Sequence, residues 1–334
     1  MSNGKTGFRP VYAAVLIATL LLLGLTVWLL LGFTGSGGGE AEYVPAGSVS
    51  LRNTERLEWN GSSYLPKTGL ETILLIGVDA GEGRTVSEGL GGQADVLLLL
   101  VLDHSERTYR ILQINRDTVT QVPVLSGNEI TGEIMAPICL SHGYGDGGLN
   151  SCENTVRAVR YLLSGVKIDG YAAVNMEAIG ELNDAVGGVT VVLDKDLTVV
   201  NPAFREGATV HLDAESAEDY LRARMAAGEA DNLSRMSRHR RFMEAWLETA
   251  KAQTGGSSAG AVKLLEKLEP LLVTDMTEKH MSALAEDAFR FEDGGIVTID
   301  GVNESNGSFN CFYPDEDSLR EVQFALFYEK EETE

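Results

Sequence analysis

Basic residues are scarce in this chain. Over 334 residues, 27 Lys and Arg stand against 49 Asp and Glu, a formal net charge of −22. That balance excludes a general nucleic-acid binder, because neutralising phosphates needs clustered Lys and Arg. It also makes any local concentration of arginine informative. Cysteine is equally sparse. Only Cys139, Cys152 and Cys311 occur, with no Cys-x-x-Cys pair, which argues against a zinc site of that kind. There is no Walker loop and no His-Glu-x-x-His motif. The five histidines, His104, His142, His211, His239 and His280, are scattered, and His142 reads as a surface residue of a Gly-rich loop. Apolar residues are not scarce: at 44% they suffice for a sizeable core and exclude global disorder.

The longest apolar run is Val11 to Phe33, VYAAVLIATLLLLGLTVWLLLGF, without a charged residue. At the helical rise it spans roughly 35 Å, enough for a bilayer core. Lys5 and Arg9 precede it, and the next charges are Glu40 and Glu42. The positive-inside rule therefore predicts a cytoplasmic tail over 1–10, a transmembrane helix over 11–33 and everything beyond outside the membrane. The run is longer than the apolar region of a cleavable signal peptide. Residues 34–50, rich in Gly and Ser, read as a flexible linker, leaving 51–334 as an extracytoplasmic domain. There Cys139 and Cys152, flanking LSHGYGDGGLNS, either close that loop as a disulfide or remain, with Cys311, as buried thiols.

From Thr72 the pattern is α/β. TILLIGV (72–78) and DVLLLLVL (95–102) are continuous apolar runs suited to buried central strands, and TYRILQI (108–114) is a third strand after the turn DHSER. Helices are predicted at 154–163, 177–185, 216–224, 236–252, about 260–270, 277–289 and 317–328, with strands at YAAVNM, VTVVL and GIVTI. The alternation predicts one domain with a mixed central sheet and helices on both faces.

The densest chemical signal is YLRARMAAGEADNLSRMSRHRRF, Tyr220 to Phe242. Arg222 and Arg224 diverge on a helix but converge if the chain unwinds there. Arg235 and Arg238 share a face of a helix starting near Ser234. Arginine suits planar, bidentate recognition of phosphate oxygens. Arg240 and Arg241 read instead as a solvated face making surface ion pairs. A second signal is the pair Asp79 and Asp95 at strand ends, where carboxylates can hold a magnesium ion or simply cap a turn. The third is QINRDT, in which Arg116 and Asp117 leave the third strand; spacing leaves open whether they make a surface salt bridge or extend a phosphate site.

Taken in order, LLIGVD, NRDT, KIDGYAAVNMEAIGELNDAVGGVTV, YLRAR and NLSRMSRHRRF resemble the LytR-CpsA-Psr family over roughly residues 72–250. The resemblance implies a Mg2+-dependent phosphotransferase that moves a glycopolymer from a polyprenyl-diphosphate carrier to a peptidoglycan hydroxyl. It assigns magnesium to Asp79 and Asp95, and the diphosphate to Arg84, Arg116, Arg222, Arg224, Arg235 and Arg238. Arg116, Asp117, Arg222 and Arg224 would be catalytic, with Asp117 either orienting an arginine or accepting the acceptor's proton. Other readings within the resemblance are a non-catalytic envelope sensor and a polyprenyl-phosphate binder or hydrolase. The chain departs from the family pattern at Gln93-Ala94-Asp95 (commonly Arg-Ser-Asp), at Asn115, at Cys139-Leu140-Ser141, at Asn232 and at His239.

Overall fold

A computed structural model of the chain describes residues 43–44, 56–59, 61–79, 92–175, 178–223, 232–254, 264, 267, 271–305 and 310–331. The apolar run 11–33, most of the linker, Arg84 and Arg224 lie outside them. No helix among the described residues is long and apolar enough to cross a membrane.

The chain opens with short strands β1 (Tyr43–Val44), β2 (Leu57–Trp59) and β3 (Ser62–Pro66). Two long ones follow, β4 (Leu70–Asp79) and β5 (Gln93–Asp103), then β6 (Thr108–Ile114) and the hairpin β7 (Val119–Ser126) and β8 (Glu129–Pro137). Helices α1 (Leu140–Gly143) and α2 (Leu149–Leu162) lead to β9 (Gly170–Asn175), α3 (Ile179–Ala185) and the ribbon β10 (Val189–Val192) and β11 (Thr209–Leu212). Next come α4 (Ala214–Arg222), α5 (Asn232–Thr254), β12 (Leu272–Thr274), α6 (Glu278–Arg290) and β13 (Glu292–Thr298). The hairpin β14 (Gly301–Ser305) and β15 (Asn310–Pro314), helix α7 (Glu316–Phe327) and β16 (Tyr328–Lys330) complete the order.

The central sheet runs β12-β9-β4-β5-β6-β13. β9 is parallel to β4 and β13 parallel to β6, whereas β5 is antiparallel to both its neighbours. The ends of β4, β6, β9 and β13 therefore meet the start of β5 along one edge. Continuous aliphatic strands need cover on both faces, and they have it. Ile73, Leu75, Leu98 and Leu100 pack beneath α3, α4, α5 and α6, through Leu182, Tyr220, Trp246 and Leu284. Leu74, Ile76, Leu97 and Leu99 pack on the other face against α2 and α7, through Val159, Leu162, Phe324 and Phe327. The expected mixed sheet with helices on both faces is the one observed.

Three differences have physical reasons. The β7–β8 hairpin was not expected, because Pro123 and Gly132 interrupt the pattern that marks a strand. The loop between Cys139 and Cys152 is not closed by a disulfide: all three cysteines are buried thiols. Cys139 precedes α1 and turns its thiol to Arg116, while Cys152 joins the core beside His142 at 3.9 Å. His142 is itself buried, not a surface loop residue. The loop is held instead by Asp146, which accepts from the backbone N–H of Gly148 at 2.8 Å and of Ser151 at 3.2 Å. A Cβ at Gly145 would fall 2.5 Å from the Ser151 Cα, so only glycine fits that turn.

Candidate functional site

Asp95 owes its position to a bulge. Along β5, Val96, Leu98 and Leu100 belong to one core face and Leu97 and Leu99 to the other, yet Ala94 joins the face of the odd-numbered residues. Cross-strand, Gly77 faces Val96 and Val78 faces Ala94, so Asp95 is the extra residue. A bulge re-aims the side chain it inserts. Here the residue turned is a buried carboxylate at the edge where the parallel strands end.

Arg116 leaves β6 on the same edge. Its guanidinium donates to the Asp95 carboxylate, to Gln93 Oε1 at 2.7 Å and, through Nε, to Asp117 Oδ1 at 3.2 Å. The turn carrying it is fixed by Asn115, whose side chain accepts from the Asp117 N–H at 3.0 Å and whose carbonyl accepts from Thr118 Oγ1 at 2.6 Å. The Cys139 N–H donates to the Arg116 carbonyl at 3.0 Å, and Ala94 donates to the Cys139 carbonyl at 2.9 Å. Burial works against the charge on Arg116, but Asp95, Cys139 and Asp117 together outweigh it and raise its pKa above the ordinary arginine value. The site therefore holds a fixed cation among two acids. Asp79 ends β4 opposite Gln93, half-buried.

The arginine-rich segment approaches this edge through α5. Gln113, near the end of β6, donates to the Met236 carbonyl through a long hydrogen bond of 3.4 Å. Arg235 and Arg238, on the first turns of α5, are both buried. Arg238 donates to the Ala223 carbonyl, linking α5 to the end of α4. α4 stops at Arg222, and Ala223 is extended with φ −55° and ψ 112°, so the chain does unwind between Arg222 and Arg224. The side chain of Arg222 and the whole of Arg224 lie outside the described residues, as does Arg84. Next to Arg238, His239 is buried and held neutral: burial and then the guanidinium groups of Arg235 and Arg238 push its pKa well below the ordinary value.

Arg241 pairs with Asp194, half-exposed, as expected of a solvated face. Arg240 does not: it is half-buried and donates to Gln113 Oε1 at 3.2 Å. Gln113 thus clamps α5 to the sheet at two places. Gln93, Asn115, Gln113 and Cys139 form the scaffold of the site; the side-chain partners of Gln93, Gln113 and Cys139 lie on other elements, which is why spacing did not reveal them.

A sequence profile of the LytR_cpsA_psr family matches residues 48–327. A relative from Bacillus mycoides, polyisoprenyl-teichoic acid–peptidoglycan teichoic acid transferase TagU, is 29% identical over 303 residues, covering 86% of this chain and 92% of its own. Among solved structures, the Lin1025 protein from Listeria innocua superposes with a TM-score of 0.52 at 25% identity, covering 77% of this chain and 97% of its own. Bacillus subtilis TagV superposes with a TM-score of 0.57 at 24% identity, covering 78% and 96%, a likeness of fold. With its matched profile and its sheet of matching architecture, the chain belongs to the LytR_cpsA_psr family.

Proposed function

We propose that the chain is a cell-envelope phosphotransferase that moves a glycopolymer, of the teichoic-acid class named for its relatives, from a polyprenyl-diphosphate carrier to a peptidoglycan hydroxyl. One observation carries this reading: the Arg116 guanidinium is fixed by Asp95, Gln93 and Asp117 at the sheet edge that α5 approaches with the buried Arg235 and Arg238.

Phosphoryl transfer needs positioning and charge neutralisation more than a covalent intermediate. The acceptor oxygen forms a bond to the phosphorus that bears the glycopolymer, and the bond to the departing polyprenyl phosphate breaks. The acceptor's proton passes to a base, for which Asp117, accepting from the Arg116 Nε at 3.2 Å, is the candidate carboxylate. Arg116 and the arginines of α4 and α5 stabilise charge on the equatorial and leaving oxygens. Asp79 and Asp95 would hold Mg2+, since the donors at this edge are oxygens, the ligand type that ion prefers; bound there, the ion would neutralise diphosphate charge. The apolar run 11–33 would anchor the chain, with the described residues outside the membrane.

The test uses the full-length chain in detergent with a lipid-linked donor and purified peptidoglycan. Wild type should attach glycopolymer covalently. Arg116→Ala and Asp95→Asn should lose at least tenfold, and Asp95→Asn should also lose Mg2+-dependent binding of a diphosphate lipid. Release of glycopolymer to water alone, or full attachment by both variants, would overturn the proposal.

A further inference from the structure

The opposite edge of the sheet carries a second cluster, at the start of β4 and the end of β5. β4 separates Glu71 from Asp79 by eight residues, roughly 26 Å at the strand rise, so this cluster is distinct from the arginine site. His104, on the turn after β5, faces Glu71 Oε2 through Nε2 at 2.9 Å and Asp287 Oδ2 through Nδ1 at 3.5 Å. His280 contacts the other oxygen of Glu71. His280 and Asp287 are seven apart on α6, hence on one face of that helix. The His104 ring is braced edge-on against Phe291, with centroids 5.4 Å apart.

Neutral imidazole carries a single N–H. Of the two carboxylates facing the His104 ring only one can accept that N–H, and a cation shared between the ring and the other would satisfy both. Glu71, His104 and Asp287 offer ligand atoms that all lie within 4.8 Å of one another. Around a tetrahedral ion at 2.0–2.2 Å such atoms sit roughly 3.4 Å apart, a gap that rotation of half-exposed side chains closes. One imidazole with two carboxylates suits zinc and its neighbours better than magnesium, which prefers oxygen alone. A net charge of −22 favours cation capture in general.

We propose that Glu71, His104 and Asp287 bind a zinc-class divalent ion, with His280 orienting Glu71 from its second oxygen. The ion would tie α6 to the β4–β5 end of the sheet. Water completes its coordination. The role is that of a staple, apart from the transfer chemistry.

The experiment is titration of the tag-free, full-length chain in detergent with Zn2+, followed calorimetrically, with Co2+ absorption as a second probe. The expected result is one equivalent of Zn2+ at this site, with affinity reduced more than tenfold in His104→Gln. Loss of an orienting partner typically costs 10–100-fold, so His280→Gln should weaken binding by about that factor. Arg241→Gln, at a surface pair apart from both sites, should bind Zn2+ as wild type does. Circular dichroism checks folding, and if His104→Gln is unfolded, Asp287→Asn takes its place. Absence of stoichiometric binding, undiminished affinity in the folded ligand variant, or loss confined to Asp95→Asn would each overturn the proposal.

Discussion

The Cys139 thiol lies against the Arg116 guanidinium, yet the two do not form a thiolate–guanidinium pair. Burial pushes the Cys139 thiol up to about 12, and the acids Asp117 and Asp95 reinforce it against the opposing pull of Arg116. Arg116 spends its charge on carboxylates instead. A residue that would be reactive beside a lone arginine is thus kept inert.

Alkylation should therefore be slow for Cys139 in the folded chain at pH 8. After unfolding without reductant, peptide mapping should find Cys139, Cys152 and Cys311 all labelled; a Cys139–Cys152 bridge would contradict it. The sign of the linkage is also fixed. A thiol whose folded pKa is raised keeps its proton when the unfolded chain has lost it. The contribution of Cys139 is complete below pH 9 and declines between pH 9 and about 12. Cys139→Ser should make the alkaline unfolding profile shallower.

His239 sets an acid limit. Its folded pKa lies well below the ordinary 6.5, because burial and the neighbouring Arg235 and Arg238 oppose protonation. Below pH 6.5 the unfolded chain takes up a proton that the folded chain refuses, so stability falls with pH by up to about 1.4 kcal/mol per unit. Equilibrium unfolding between pH 5 and 7 should show this slope, and His239→Gln should remove it. An unchanged slope in the variant would place the titrating group elsewhere.

Trp246 anchors α5 to the core. It is fully buried and donates its indole N–H to the Leu182 carbonyl at 3.0 Å. Trp246→Ala should cost about 3–5 kcal/mol by cavity formation. Trp246→Phe should cost less, on the order of 1–3 kcal/mol, chiefly through the Leu182 carbonyl left without its donor. Denaturant melts of both variants give the ranking; equal losses would show that the lost hydrogen bond, not the cavity, sets the cost, and an unchanged Trp246→Phe that the bond contributes nothing.

Two arginines separate site from surface. Arg116→Lys keeps a charge but cannot reach Asp95, Gln93 and Asp117 together, so diphosphate binding should fall at least tenfold with only partial recovery over alanine. Arg241→Gln breaks a half-exposed pair with Asp194. It should change stability by no more than about 1 kcal/mol and leave transfer intact. Isothermal titration with a soluble diphosphate lipid analogue compares binding by the two variants, and a denaturant melt gives the stability of Arg241→Gln; equal losses of binding would merge the two environments.

Much of this arrangement was legible in the sequence. The runs at 72–78, 95–102 and 108–114 are too aliphatic to be anything but covered strands, and they became β4, β5 and β6. The shared face of Arg235 and Arg238 also follows from spacing, whereas the helix expected to reach Arg224 stops at Arg222. The bulge at Asp95 did not, because a run of leucines has no alternation from which a change of face could be read. Arg240 and His142 were misplaced for a related reason. Local polarity suggested surface, whereas Arg240 reaches Gln113 far away in sequence and His142 turns inward beside Cys152 across its own loop.

The edge strand β13 has a consequence for synthesis. It pairs in parallel with β6, placing Thr298 beside Gln113. A ribosome delivers β4, β5 and β6 early, and the partner that closes the β6 edge emerges only after most of the chain has been made. Until then β6 exposes unpaired amides beside an aliphatic strand, the kind of surface that invites pairing with another molecule. Newborn chains would thus pass through a sticky interval. Truncation before residue 292 would make it permanent, giving a product that retains the Arg116 turn but associates edge to edge.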